Sequence, residues 1–196
     1  MAVLFGLLWP LERFNTAILA LCRIVAMVAL GVMVCLILGQ VFFRYVLNDA
    51  PSWTEEGARF GMLWMTGLMA PYAYRHGGFV SIDMLERALP RVISSLLTLV
   101  LLGISLAVLI VAIDKGWNNH VMSLSGNGNA PSLRLPLDWF GGERLRFKNY
   151  MAYGSLAVGF TLLLLVNIEL ILRQLITLLG AANRLTPLST DAARAD

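Results

Sequence analysis

The chain has 196 residues, of which 58% are hydrophobic and only 14% charged, and its mean hydropathy is +0.74. Soluble domains carry roughly 25% charged residues, so this balance excludes an ordinary soluble enzyme and sets lipid or membrane-embedded protein against most of the surface. The formal charge of +3 is mild and the 15 Lys and Arg residues are dispersed, which leaves no electrostatic footprint for nucleic acid.

In chain order, Met1 to Asn15 lacks the pattern of a signal peptide: Glu12, Arg13 and Asn15 interrupt it and no small-residue cleavage site follows. With Trp9 and Pro10 in it, this stretch reads as a retained interfacial segment over 1–15. A membrane domain over 16–185 follows. A bilayer core needs about 20 mostly apolar residues in a helix. Charge-free runs of that kind are Ile24 to Phe43, Val92 to Ile113 and Asn149 to Ile168. A shorter run, Phe60 to Tyr74, becomes long enough only if its helix begins near Trp53, with Glu55, Glu56 and Arg59 in the first turns. The expectation is an all-α integral membrane protein with four spans, at about 20–43, 53–74, 92–113 and 149–172. Ser52-Trp53-Thr54-Glu55 fits a capping box that starts the second of them.

The connectors are a polar loop at 75–91 turning at Gly77-Gly78, a long loop at 114–148 punctuated by Gly and Pro, and a tail at 186–196 that reads as disordered. Orientation is weakly marked. Arg13, Arg23, Arg75, Arg87, Arg91, Arg173, Arg184 and Arg194 face one side, against Arg44, Arg59, Lys115, Arg134, Arg144, Arg146 and Lys148 on the other. Long loops count for less, so the balance leans towards both termini in the cytoplasm.

Small residues recur at helical spacing: Gly31, Cys35 and Gly39 in the first span, Gly57 and Gly61 in the second beside Trp53, Phe60, Trp64 and Leu68, and Gly103 with Ala107 in the third. Such positions pack membrane helices on one another or on another membrane protein. Gln40 and Arg44 share a helix face, and Arg44 stands across a short turn from Glu55, Glu56 and Arg59. The simplest reading is an Arg–carboxylate cluster pinning the first hairpin. Glu169 and Arg173 form an i,i+4 pair that supports the end of the last span, and Asn167 is placed to bond across helices.

Little catalytic chemistry is on offer. Cys22 and Cys35 form no CxxC, and His76 and His120 lie on opposite sides of a span, so neither a redox pair nor a metal site results. No Ser/His/Asp set, HExxH or phosphate loop occurs. With no acidic residue assigned to the middle of a span, a self-sufficient four-helix transporter acting as a homodimer is the weaker alternative, beside an assembly factor for another membrane complex.

Gln40-Val-Phe-Phe-Arg44-Tyr-Val-Leu-Asn48, Pro51-Ser-Trp53-Thr-Glu55-Glu56-Gly-Ala-Arg59 and Arg75-His-Gly-Gly78-Phe-Val-Ser-Ile-Asp83-Met-Leu85 strongly resemble the small membrane subunit of tripartite ATP-independent periplasmic (TRAP) transporters. The resemblance implies a DctQ-like, four-helix subunit of the bacterial inner membrane. That subunit would act as scaffold for a large membrane subunit that moves an organic anion delivered by a periplasmic substrate-binding protein. It also implies that sodium binds the large subunit, that this chain holds no cofactor, metal or substrate, and that both termini are cytoplasmic. Gln40, Arg44, Trp53, Glu55, Glu56, Gly57, Arg59, Gly61 and Trp64 would then serve the subunit interface or the hairpin. The loop at 114–148 is longer than is usual for the family, and Arg134, Arg144, Arg146 and Lys148 in it are candidates for docking the binding protein.

Overall fold

The structure, a computed structural model, describes residues 2–48, 52–76, 90–118, 131–135 and 145–179. Among the described residues four helices carry the fold: α1 (Ala2–Tyr45), α2 (Ser52–Arg75), α3 (Arg91–Asn118) and α4 (Asn149–Leu178). Just before α4, strands β1 (Pro131–Leu135) and β2 (Leu145–Lys148) pair antiparallel, with Arg134 opposite Arg146 in the register. Within the expected 114–148 loop, α3 runs five residues past 113, and the described residues 131–135 and 145–148 form a two-stranded ribbon. The 75–91 loop beyond His76, Arg144, His120 and the tail lie outside the described residues.

The segment expected to be interfacial is continuous with the first span, because α1 is a single helix of 44 residues, about 66 Å at 1.5 Å per residue. Pro10 lies inside it and has no N–H to bond the carbonyl of Gly6. The helix persists because its next turns are tied down: Asn15 and Thr16 bond to partners on α4 and α2.

Burial follows helical periodicity. On α1 the buried positions Leu8, Asn15, Leu19, Cys22 and Ala26 line one face, while Ile24, Val28, Val32 and Phe42 are exposed. Cross-helix contacts set α2 against both α1 and α4 and α3 against α4, and α1 also touches α4 directly. Leu36 of α1 faces Gly57 of α2, and Thr16 of α1 meets Arg75 of α2, so these two run antiparallel. Trp64 meets Met151 and Arg75 meets Glu169, so α2 and α4 run parallel. Gln174 meets Ser95 and Trp117 meets Thr161, so α3 returns antiparallel to α4. The start of α1 and the end of α4 consequently lie at the same end of the bundle.

The seam between α2 and α4 is the tightest. Pro71 in α2 has no N–H for the carbonyl of Gly67, and that freed carbonyl lies against Gly159 of α4, where an added Cβ would fall 2.7 Å from it. A Cβ on Gly67 would fall 2.5 Å from the carbonyl oxygen of Ser155. Glycine is required at both positions because backbone meets backbone there, the geometry of Cα–H···O contact.

Three of the helices are long and apolar enough to cross a membrane: Gly6–Tyr45, Ile93–Trp117 and Met151–Leu178. With 24 residues, α2 spans about 36 Å, but Glu55, Glu56 and Arg59 in its first turns keep it from matching them in apolarity.

Candidate functional site: a buried charge cluster joining three helices

The polar chemistry of the bundle is concentrated where α1, α2 and α4 meet. Glu169 of α4 is 0% exposed, and its Oε1 accepts from Arg75 Nε at 3.1 Å and Nη2 at 2.8 Å and from Arg173 Nε at 3.2 Å. Its Oε2 accepts from Asn15 Nδ2 at 2.7 Å. Arg75 also donates through Nη1 to Thr16 Oγ1 at 2.8 Å, and Arg173 Nη2 pairs with Glu12 Oε1 at 3.0 Å. Arg75 is 5% exposed, Arg173 8% and Asn15 2%.

Two guanidiniums thus face two carboxylates. In a low-dielectric interior a lone charge is costly, whereas one paired with its opposite is tolerated. The guanidinium fork suits this site, since Arg75 reaches Glu169 with two nitrogens and Thr16 with a third. Arg75 is the last residue of α2, where a cation also meets the negative end of the helix dipole. The adjoining His76 ring stacks on Tyr72 with centroids 4.2 Å apart, and its Nδ1 lies 2.9 Å from the Tyr72 carbonyl oxygen.

A second polar node lies two residues along α4. Asn167, fully buried, donates to the Tyr74 hydroxyl at 2.8 Å, and Ser105 of α3 lies within hydrogen-bonding reach of that same hydroxyl. Residues 74, 105 and 167 are therefore level with one another, one on each of α2, α3 and α4.

Several sequence expectations change here. Arg44 does not pair with Glu55 or Glu56; Glu55 pairs instead with Arg59 along its own helix at 3.3 Å, with the two side chains 66% and 71% exposed. The Leu36–Gly57 contact sets the hairpin register, so Arg44, two turns beyond Leu36, is level with the turn rather than with the carboxylates. Glu56 is exposed, and Gln40 and Trp53 are half-buried. The Glu169–Arg173 pair does form, but as the centre of a cluster joining three helices rather than as support for one helix end. Asn167 does bond across helices. Small residues divide into two sets: Gly57 and Gly61 face Leu36 and Met33 of α1, whereas Gly31, Gly39 and Gly103 have nothing within 4 Å. Trp64 donates to the Met151 carbonyl at 3.1 Å.

Among the described residues no group of three or more His, Cys, Asp or Glu could hold a metal ion. What the arrangement does chemically is to neutralise charge internally and bind helix to helix.

Residues 33–177, which take in all or part of each of the four helices, match the family described as "Tripartite ATP-independent periplasmic transporters, DctQ component". The chain belongs to this family. It is 26% identical over 144 residues to the C4-dicarboxylate TRAP transporter small permease protein DctQ of Vibrio cholerae serotype O1, an alignment covering 68% of this chain and 62% of that relative. The chain therefore spans somewhat less than two thirds of that relative's length. No solved structure matches. Membership identifies the chain as a component of a transporter, and its three long apolar helices accord with a multi-pass membrane protein. The family match begins at Met33, after the Glu12, Asn15 and Thr16 contributions to the charge cluster.

Proposed function

We propose that this chain is the small permease subunit of a binding-protein-dependent, sodium-coupled TRAP transporter for organic anion uptake in a bacterial inner membrane. It acts there as a rigid scaffold for the large transport subunit. The observation that carries the scaffold role is the charge cluster: its two carboxylates and two arginines are engaged with one another, so the deepest charges in the bundle hold helices in place. An ion-coupled carrier needs a group that changes partner during its cycle, and Glu169, with both oxygens already accepting, is built to stay put.

A carrier that slides a transport element past a fixed one gains from added mass on the fixed part. The bundle suits that role, since α1 and α3 carry exposed apolar side chains and the open Gly31, Gly39 and Gly103. On this reading α2 is the fourth span, its Glu55, Glu56 and Arg59 at the periplasmic surface beside Gln40 and Arg44, and both termini are cytoplasmic. The ribbon that carries Arg134, Arg146 and Lys148, with neighbouring Arg144, is the candidate docking surface for the substrate-binding protein.

The test is uptake by the large subunit and binding protein, expressed with and without this chain, with the amount of large subunit in the membrane measured in parallel. A scaffold predicts that uptake and large-subunit level fall together when the chain is missing. Full uptake without it contradicts the proposal. Replacing Arg144, Arg146 and Lys148 with Glu is expected to raise the concentration of binding protein needed for half-maximal uptake; an unchanged requirement removes the docking role.

A further inference from the structure

The node where Tyr74, Ser105 and Asn167 meet is incompletely bonded. Asn167 is 0% exposed, and its amide nitrogen donates to the Tyr74 hydroxyl at 2.8 Å. Its amide oxygen Oδ1 is equally buried and receives no hydrogen bond from any described residue. The two ends of an asparagine amide have nearly the same shape. Turned over, Asn167 would accept from Tyr74 through its oxygen and leave its nitrogen unbonded, so one end is left over in either setting. An unbonded amide end is costly to bury, and between membrane helices no bulk solvent makes up the loss.

Whatever completes the node is small, because Asn167 is closed off from the surface, and it suits either end of an amide. A cation fits poorly. Only the neutral oxygens of Tyr74, Ser105 and Asn167 converge there, and Glu169, the nearest carboxylate along α4, already accepts at both oxygens. Room exists on the α3 side: α2 and α3 barely touch, and the long Tyr74 side chain crosses the gap to meet a small serine. We propose that one buried water molecule occupies this node, donating to Asn167 Oδ1 and bonding the Ser105 and Tyr74 hydroxyls. Buried waters typically make about three hydrogen bonds to groups otherwise left unsatisfied, and this node supplies three. The water ties α3 to α4 where Tyr74 alone ties it to α2. The assignment is independent of which partner the bundle scaffolds.

The experiment is X-ray radiolytic labelling of the full chain in lipid nanodiscs. Hydroxyl radicals made from a bound water oxidise the side chains beside it, and mass spectrometry locates the product. Tyr74 is the reporter, and Tyr72 and Tyr153, outside the node, are internal controls. The parent is expected to show oxidised Tyr74. Asn167→Leu, which removes the acceptor and fills the node with methyl groups, is expected to lower oxidation of Tyr74 several-fold relative to the controls. Ser105→Val fills the node from α3 while leaving Asn167 and Tyr74 in place, and is expected to give the same loss. Asn167→Asp keeps the shape and an acceptor oxygen, and is expected to stay near the parent. Oxidation of Tyr74 that is unchanged in both Asn167→Leu and Ser105→Val overturns the proposal, since the partly exposed ring would then draw its oxygen from outside the bundle. An experimental structure of the parent with a protein group donating to Asn167 Oδ1 overturns it as well.

Discussion

Glu169 concentrates the energetics of the bundle in one side chain. Breaking a buried pair from one side leaves an uncompensated charge and costs about 3–5 kcal/mol, whereas removing both partners costs far less. Thermal unfolding in detergent is therefore expected to fall further for Glu169→Gln than for Arg75→Ala/Glu169→Ala, a non-additivity that a double-mutant cycle measures. If the double variant loses at least the sum of the two single losses, the coupling is absent. The glycines give an independent check. Gly159→Ala sets a methyl against the Gly67 carbonyl and is expected to cost about 1–3 kcal/mol. Gly31→Ala, with nothing within 4 Å, is expected to be neutral or to stabilise the isolated chain by up to about 1 kcal/mol. Equal effects at the two positions would contradict the assigned packing.

The elements differ in how much of them can be read from residue patterns. Length and apolarity alone mark α3 and most of α1 and α4, because a bilayer imposes its thickness on a sequence. The start of α2 is readable from its turn residues and its acidic first turn. The charge cluster is not, since Glu12, Arg75 and Glu169 lie far apart in the chain and each, taken alone, resembles a charge at the end of a span. The signal that does exist is that Glu169 and Arg173 stand inside a helix of 30 residues, with Asn167 beside them and apolar residues beyond. Small-residue spacing is equally blind to direction: Gly31 and Gly39 look like Gly57 and Gly61 in sequence, yet one pair is open and the other packed. Gly67 carries no sequence signal of its own, because its role depends on Pro71 releasing its carbonyl towards Gly159, far along the chain. On this account α3, which among the described helices packs mainly on α4 and meets α2 through the Tyr74 node, is the least secured element. Asn167→Leu should lower the protection of α3 amides in hydrogen exchange before it changes α1. Loss of protection in α1 first would argue against this account of the packing.

At the scale of the molecule, a bundle with an internally paired charge cluster and exposed apolar side chains on α1 and α3 is a shape that other membrane protein can cover. Family membership supplies the context, and the physical content is the division of labour between buried charges that hold three helices together and exposed apolar side chains that meet surroundings. Gly57→Leu is expected to push Leu36 aside, splay the α1–α2 hairpin and lower recovery of any complex, with uptake falling in proportion. Normal recovery with abolished uptake would instead place the hairpin in the transport cycle. The most direct measurement is recovery of the full chain from its native membrane in mild detergent, with identification and quantification of what accompanies it. The scaffold account predicts one large, many-spanning carrier near one-to-one. Recovery of this chain alone, able to move substrate after reconstitution by itself, would contradict it.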